Sequence, residues 1–364
     1  MKLYYLLILF IFCSTSCSKN QNQTIIKGNI PNLPDGTMYL YEDNGTNRID
    51  SIKTKNGKFN FIYKWKKNSE PVYLGLDHVD NEATLRLLSF PTNSKYRGGS
   101  LNQSRFLSDS AVIINGEIFD NTPKEFSKKI RLVNLKPPII AGKQTEALYH
   151  IDEDLFYKID AKTIAVVKEK LKKYPFSFHL LYKINENKNS FSPKQVDEFL
   201  KLFKGDITES ESYKKLFAYN QKRFTVKNND LPLIEDTNGK KSKILDSKYE
   251  KHLVVFWASW YGPCREEIPL LKKIYNDKNK SLEFISISID SDKNAWKKTL
   301  NEEKMNWKQF IINEKDSNYE KIQMQFRLNG AIPYTVLVDN NFKILKSSVG
   351  LSSEKDLKSF IENN

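Results

Sequence analysis

The spacing of apolar residues changes character along the chain. From residue 24 to about 118 they alternate with polar ones in short runs: Ile26-Lys27-Gly28-Asn29-Ile30, Met38-Tyr39-Leu40-Tyr41 and Phe59-Asn60-Phe61-Ile62-Tyr63. The runs break at Pro34-Asp35-Gly36 and Lys55-Asn56-Gly57-Lys58, residue types suited to tight turns. This pattern predicts an antiparallel sandwich-like β domain over 24–120, with further strands near Val72 and Ala111 and a long polar loop at 91–108. From about 124 to 225 the period becomes helical. Ile164, Val167 and Leu171 share one face, as do Phe178, Leu181 and Tyr182 after Pro175, and Val196, Phe199, Leu200 and Phe203 after Ser192-Pro193. Lysines fill the outward positions, so 121–226 reads as a helical connector, a spacer or docking scaffold.

The last region, 227–364, mixes both periods. A hairpin is expected around Thr237-Asn238-Gly239-Lys240, then the order β-α-β-α-β-β-α. The apolar run 253–258 suits a buried central strand, and 282–289, ending in Asp290, is expected to form a second one. A helix is expected near Cys264, with Ile268, Leu271 and Ile274 on one face and a kink at Pro269. Further helices are expected at 294–303, 319–326 and 354–362, and a hairpin of 334–339 with 342–347 across Asn340. Alternating strands and helices imply a layered α/β sheet.

Hydrophobic residues make up 39% of the 364 residues, enough for packed cores, and the net charge is +14. The lysines are spread from end to end without a compact basic-aromatic module, so a solvated surface is expected rather than nucleic-acid binding. The four histidines lie far apart in sequence, and neither a metal site nor a cofactor is expected.

Lys2 precedes an uncharged apolar run, 3–12, shorter than the ~20 residues needed to span a bilayer. Ser14-Thr15-Ser16-Cys17 follows, small residues before a cysteine, and this resembles a bacterial lipoprotein box. The resemblance implies a signal peptide at 1–16, a lipid on Cys17 that ties the protein to the bilayer, a polar tether over 17–23 and a cell-envelope location facing the periplasm. A plain cleaved signal peptide is the alternative. With Cys13 removed and Cys17 acylated, Cys264 is the one thiol expected to stay free, so no internal disulfide can form.

The chemistry concentrates at Trp260-Tyr261-Gly262-Pro263-Cys264-Arg265, at the end of the apolar run 253–258. Together with Phe256, Ser259, Glu267, Pro269, Asp290, Trp296, Gly330, Ile332-Pro333 and Asp339, in that order, it resembles the thioredoxin superfamily, specifically the membrane-tethered TlpA/ResA-like thiol-disulfide oxidoreductases. The resemblance implies a thioredoxin-like fold, an active-site turn at 260–263, and a substrate-binding loop at Ile332 and cis-Pro333. It places Cys264 in the resolving position and Tyr261 where the attacking cysteine belongs. A thiolate favoured by a helix N-terminus attacks a disulfide and a second thiol resolves the mixed disulfide. A phenol does neither.

Three readings stay open at this level. One is a noncatalytic or weakly redox-active protein that binds a protein or peptide in the periplasm, its surface formed by Tyr261 and Tyr334. Another is a working oxidoreductase that uses Cys264 with an external thiol. The third is a thiol peroxidase, against which count Tyr261 and Trp257 where that family places Thr and Pro. Upstream, Gly28, Tyr39-Leu40, Asp50-Ser51 and Gly57-Lys58-Phe59 resemble a small β domain of unknown function that precedes thioredoxin domains in Gram-negative lipoproteins.

Overall fold

A computed structural model describes residues 23–43, 47–66, 70–226, 231–277, 282–350 and 353–362. The expected signal segment and Cys17 lie outside them. The chain divides into two compact units: residues through Leu155 with Phe176–His179, and Phe156–Pro175 with Leu180 onward.

The first unit is strand-rich: β1 (Gln23–Asn29), β2 (Gly36–Glu42), β3 (Asn47–Thr54), β4 (Lys58–Lys64), β5 (Tyr73–Asp80), β6 (Leu85–Tyr96), β7 (Gly99–Gln103), β8 (Arg105–Leu107), β9 (Ala111–Asn115), β10 (Glu117–Asp120) and β11 (Ile130–Lys136), then helix α1 (Lys143–Leu148). Among the described residues they form a small sheet, β4-β1-β9, and a larger one, β10-β11-β6-β5-β2-β3, with β7 and β8 attached to β6 and β5. The inward residues of both sheets, Ile26, Phe61 and Val112 from one and Leu40, Leu76 and Phe90 from the other, share one core. Gly28 sits opposite Phe59, whose ring would lie 2.0 Å from a β-carbon there, so the ring itself fills the space a side chain would need.

Three expectations change here. The ladders β1–β9 and β6–β11 are parallel, so the unit is mixed rather than wholly antiparallel. The segment 91–108 is no loop: its polar residues lie on β6, β7 and β8, whose backbones pair. Strand β11 falls inside the segment expected to be helical; Val133 and Leu135 alternate inward, a period-two signal shorter than the helical patterns that follow it.

The second unit begins with α2 (Ala161–Lys173), α3 (Phe178–Glu186; its first two residues belong to the first unit), α4 (Pro193–Leu200) and α5 (Glu211–Thr225). Ser192 caps α4 through Gln195, whose side chain returns the bond, so the start read from Ser192-Pro193 is a capping box. The remainder is β12 (Ile234–Asp236), β13 (Lys241–Ser242), β14 (Lys251–Trp257), α6 (Gly262–Asn276), β15 (Leu282–Ser288), α7 (Lys293–Glu303), β16 (Lys308–Ile311), α8 (Tyr319–Phe326), β17 (Tyr334–Asp339), β18 (Ile344–Val349) and α9 (Glu354–Glu362). The sheet order is β13-β12-β16-β15-β14-β17-β18. This is a thioredoxin-like domain. Strand β14 is central, parallel to β15 and antiparallel to β17, and six of its seven residues are buried. Strand β16 was absent from the expected order: it is four residues long and opens on Lys308-Gln309, too short and polar for a period to register. Helix α6 runs through Pro269 without a break.

In the first unit His78 is fully buried on β5, with Nε2 3.0 Å from the Thr54 hydroxyl. Burial, with the Arg86 cation adding to it and Asp80 opposing, pushes the imidazole down to about 4. A histidine lowered on folding stabilises above its ordinary pKa near 6.5, and that contribution is lost as pH falls toward 4. Urea unfolding of the wild type should therefore lose about 2 kcal/mol more between pH 7 and 4.5 than that of His78→Gln; equal losses would show that His78 stays uncoupled from folding.

Candidate functional site

The site lies where β14 ends. Ser259 N–H and Oγ–H both donate to the Asp290 carboxyl group, at 2.9 and 2.7 Å, and the Ser288 hydroxyl bonds the same carboxyl. The Asp290 carbonyl accepts from Asn313 Nδ2 at 3.2 Å. Asp290 is 1% exposed, so these bonds replace the water it has lost. They tie the end of β14 to the end of β15 and fix where the next turn starts.

That turn carries Trp260 and Tyr261, 67% and 36% exposed, their rings edge to face at 5.8 Å. Tyr261 is the N-cap of α6 but gives no side-chain cap, and Pro263 occupies the first turn, where its missing N–H costs nothing. Tyr261 thus stands at the positive end of the helix dipole. Its carbonyl accepts from the Cys264 N–H at 3.1 Å, which places Cys264 one turn in. Cys264 is buried, and burial pushes its thiol up to about 11, with the Glu267 and Asp290 carboxylates adding and a hydrogen bond with the Ala258 backbone opposing. The positive end of α6 thus meets the exposed Tyr261 side chain, and the Cys264 thiol lies buried behind it.

Ile332 and Pro333 are joined by a cis peptide bond. The Pro333 carbonyl accepts from Gly350 N–H at 2.8 Å, joining this loop to the end of β18. Between them runs a cleft of about 660 Å³ lined by Pro263, Glu266, Glu267 and Leu270 of α6, by Pro333, by Val349 and Gly350, and by Ser353 and Glu354. Among the described residues, three carboxylates and no cation line it, in a chain of net charge +14. Glu354 is tied to Lys273 and Lys358; Glu266 is exposed.

The structure thus brings Trp260, Tyr261, Gly262, Pro263, Cys264, Ile332 and Pro333 to one end of the sheet. Tyr334 is a correction. It is 7% exposed, packs on Phe256 and donates its hydroxyl to the Phe326 carbonyl at 2.9 Å, so it is core, and the exposed aromatic pair is Trp260 with Tyr261. The cleft residues Glu266, Val349, Gly350 and Glu354 had no sequence signal; only the register of β17 with β18 and the placement of α9 bring the last three to α6. Among the described residues there is no group of three or more metal-ligating side chains, and no helix is long and apolar enough to cross a membrane.

Since the thiol is buried and its pKa raised from 9.0 to about 11, iodoacetamide at pH 8 should alkylate native Cys264 at least ~100-fold more slowly than the urea-unfolded chain. Comparable rates, read by mass spectrometry, would make Cys264 an accessible nucleophile.

Comparison with known proteins bears on the same segment. A thioredoxin-like family matches residues 249–344, and a domain of unknown function, DUF4369, matches 24–103. The thiol-disulfide oxidoreductase ResA of Bacillus anthracis is 24% identical over 151 residues, covering 41% of this chain and 84% of that protein. ResA of Bacillus subtilis is 31% identical over 64 residues, 17% of this chain and 36% of that one. Among solved structures, the thioredoxin domain of a thiol-disulfide oxidoreductase from Bacteroides vulgatus is 26% identical and covers 38% of this chain and 97% of its own, with a TM-score of 0.32. The C-terminal domain of this chain is thioredoxin-like, and its curated relatives include ResA-type thiol-disulfide oxidoreductases.

Proposed function

We propose that this protein is a lipoprotein of the cell envelope, held to the bilayer by a lipid on Cys17 and facing the periplasm, in which the redox turn of a thioredoxin-like domain has become a binding surface for a protein or peptide. The observation that carries this reading is the exposed Tyr261 ring at the N-terminus of α6, where an attacking sulfur would stand, above a remaining thiol that is buried. Exchange between sulfurs needs a thiolate that reaches its target and a second that resolves the mixed disulfide. One thiol held up at about 11 supplies neither at neutral pH.

The cleft beside the turn supports a binding role and indicates its chemistry. Apolar surface comes from Leu270, Val349 and the two prolines, with Trp260 and Tyr261 exposed on the neighbouring turn. Its charges come from Glu266, Glu267 and Glu354. An extended segment that alternates aliphatic residues with Lys or Arg complements such a surface, since charge pairing sets specificity while aromatic anchors supply contact area.

A second reading is an oxidoreductase that works with an external thiol. It is favoured by the retained Gly262-Pro263-Cys264 turn and the cis bond before Pro333. In it an external thiolate opens the substrate disulfide and releases one substrate thiol; Cys264 attacks the external sulfur of the mixed disulfide, releasing the second substrate thiol, and a further external thiol frees Cys264 as the external disulfide forms.

Two measurements separate these readings. In dithiothreitol-driven reduction of a protein disulfide, wild type should show no rate above the uncatalysed reaction, and Tyr261→Cys should gain turnover; turnover by wild type that disappears in Cys264→Ala would establish the second reading instead. In fluorescence anisotropy, a labelled peptide of alternating lysine and valine should bind at least ~10-fold more tightly than its glutamate counterpart, a preference that Glu266→Lys abolishes. Equal binding of both peptides would remove the acidic cleft from the site. Cys17→Ala should move the protein from the membrane fraction to the soluble fraction.

A further inference from the structure

We propose that the helical segment is part of this binding machinery, and that Asn189, between α3 and α4, is the positioning residue that holds the cis-proline loop. The proposal rests on the reading of that loop as one wall of the binding cleft.

Asn189 is 1% exposed, and its polar groups bridge the loop at 328–329 and Tyr219 of α5. Its Nδ2 donates to the Leu328 carbonyl at 2.8 Å and to the Tyr219 hydroxyl at 2.9 Å, and its backbone N–H donates to Asn329 Oδ1 at 2.8 Å. Tyr219 Oη lies 3.2 Å from Asn189 Oδ1, and Asn329 Nδ2 donates to Ser190 Oγ at 2.7 Å. Leu328 and Asn329 begin the loop that ends at cis-Pro333. Its backbone is already bent, with Arg327 at φ 56° and Gly330 at φ 93°. Its two ends are closed by the Tyr334 hydroxyl on the Phe326 carbonyl. The inner side is therefore fixed by the thioredoxin-like core and the outer side by the helices.

Apolar packing alone would hold helices against a domain without fixing a loop's register. A buried amide does fix it, because each of its groups must find its own partner or lose its hydrogen bonds altogether. The network is also uncharged: burial pushes the Tyr219 phenol up to about 12, so it remains a donor throughout the physiological range. The connector is then a second support for the cleft wall, and a displacement of α3, α4 or α5 would reach Pro333 through Asn189.

Asn189→Ala and the milder Tyr219→Phe, compared with Leu171→Ala, a fully buried change on α2 outside the network, provide the test. Two readouts are needed: hydrogen exchange of residues 327–335 by peptic fragments, and affinity for the lysine–valine peptide. Asn189→Ala should raise exchange in that segment ~10-fold above the rest of the domain and weaken the peptide ~10-fold, with Tyr219→Phe intermediate. Leu171→Ala should lower Tm without either local effect. A rise in exchange that is uniform across the domain and follows Tm in all three variants would overturn the proposal. If wild type does not bind the peptide at all, the reading of the cleft fails, and the exchange measurement still decides whether Asn189 holds the loop.

Discussion

A single buried carboxyl group, that of Asp290, joins the ends of the two central strands and takes both donors of Ser259. Because β14 is covered on both faces and paired on both edges, its direction is set by the sheet, but the residue at which it stops is not. The Asp290 bonds decide that. Once Ser259 is held, Trp260 and Tyr261 must leave the sheet, and Pro263 starts a helix whose next inward position is Cys264. The exposure of the aromatic pair and the burial of the thiol follow from this one attachment.

The same geometry explains why an aromatic side chain suits the turn. A helix N-terminus presents unpaired N–H groups and a partial positive charge. In a redox protein these stabilise a sulfur anion. Here the residue at that position has no such anion to offer, and the sulfur one turn inside is desolvated and faces two carboxylates. The turn presents two rings in edge contact, and beside it lies a cleft walled by prolines and carboxylates. Asn189 extends this arrangement outward, since the loop opposite the turn is supported from both of its sides.

Much of the thioredoxin-like domain was legible because its elements are long and strongly patterned. The run 253–258 that became most of β14 is continuously apolar, β15 carries Leu282, Phe284, Ile285 and Ile287 among its polar residues, and α8 and α9 fell at the residues expected. Strand β16 was not legible, since a four-residue strand opening on Lys308-Gln309 carries no period and is stabilised by neighbours on both sides. The same holds for β7 and β8, whose polar residues are ordered by pairing with β6 and β5. Tyr334 shows the converse error: motif order placed it beside the site, but β17 is an inner strand buried along Tyr334–Val338, and the ring packs in the core.

By itself the sequence determined the local chemistry: which residue stands at the turn, that Cys264 follows it by three positions, and that a proline lies in the loop expected to face it. These are fixed by covalent order and by spacings of three or four residues. Tertiary structure decided everything that depends on distant chain segments sharing a volume. It set how deeply Cys264 is desolvated, that Glu266 and Glu354 flank one cleft, and that Asn189 reaches the Leu328 carbonyl across 139 positions. Burial and hydrogen bonding between segments so far apart arise only when the sheet closes, and one-dimensional spacing holds no record of them.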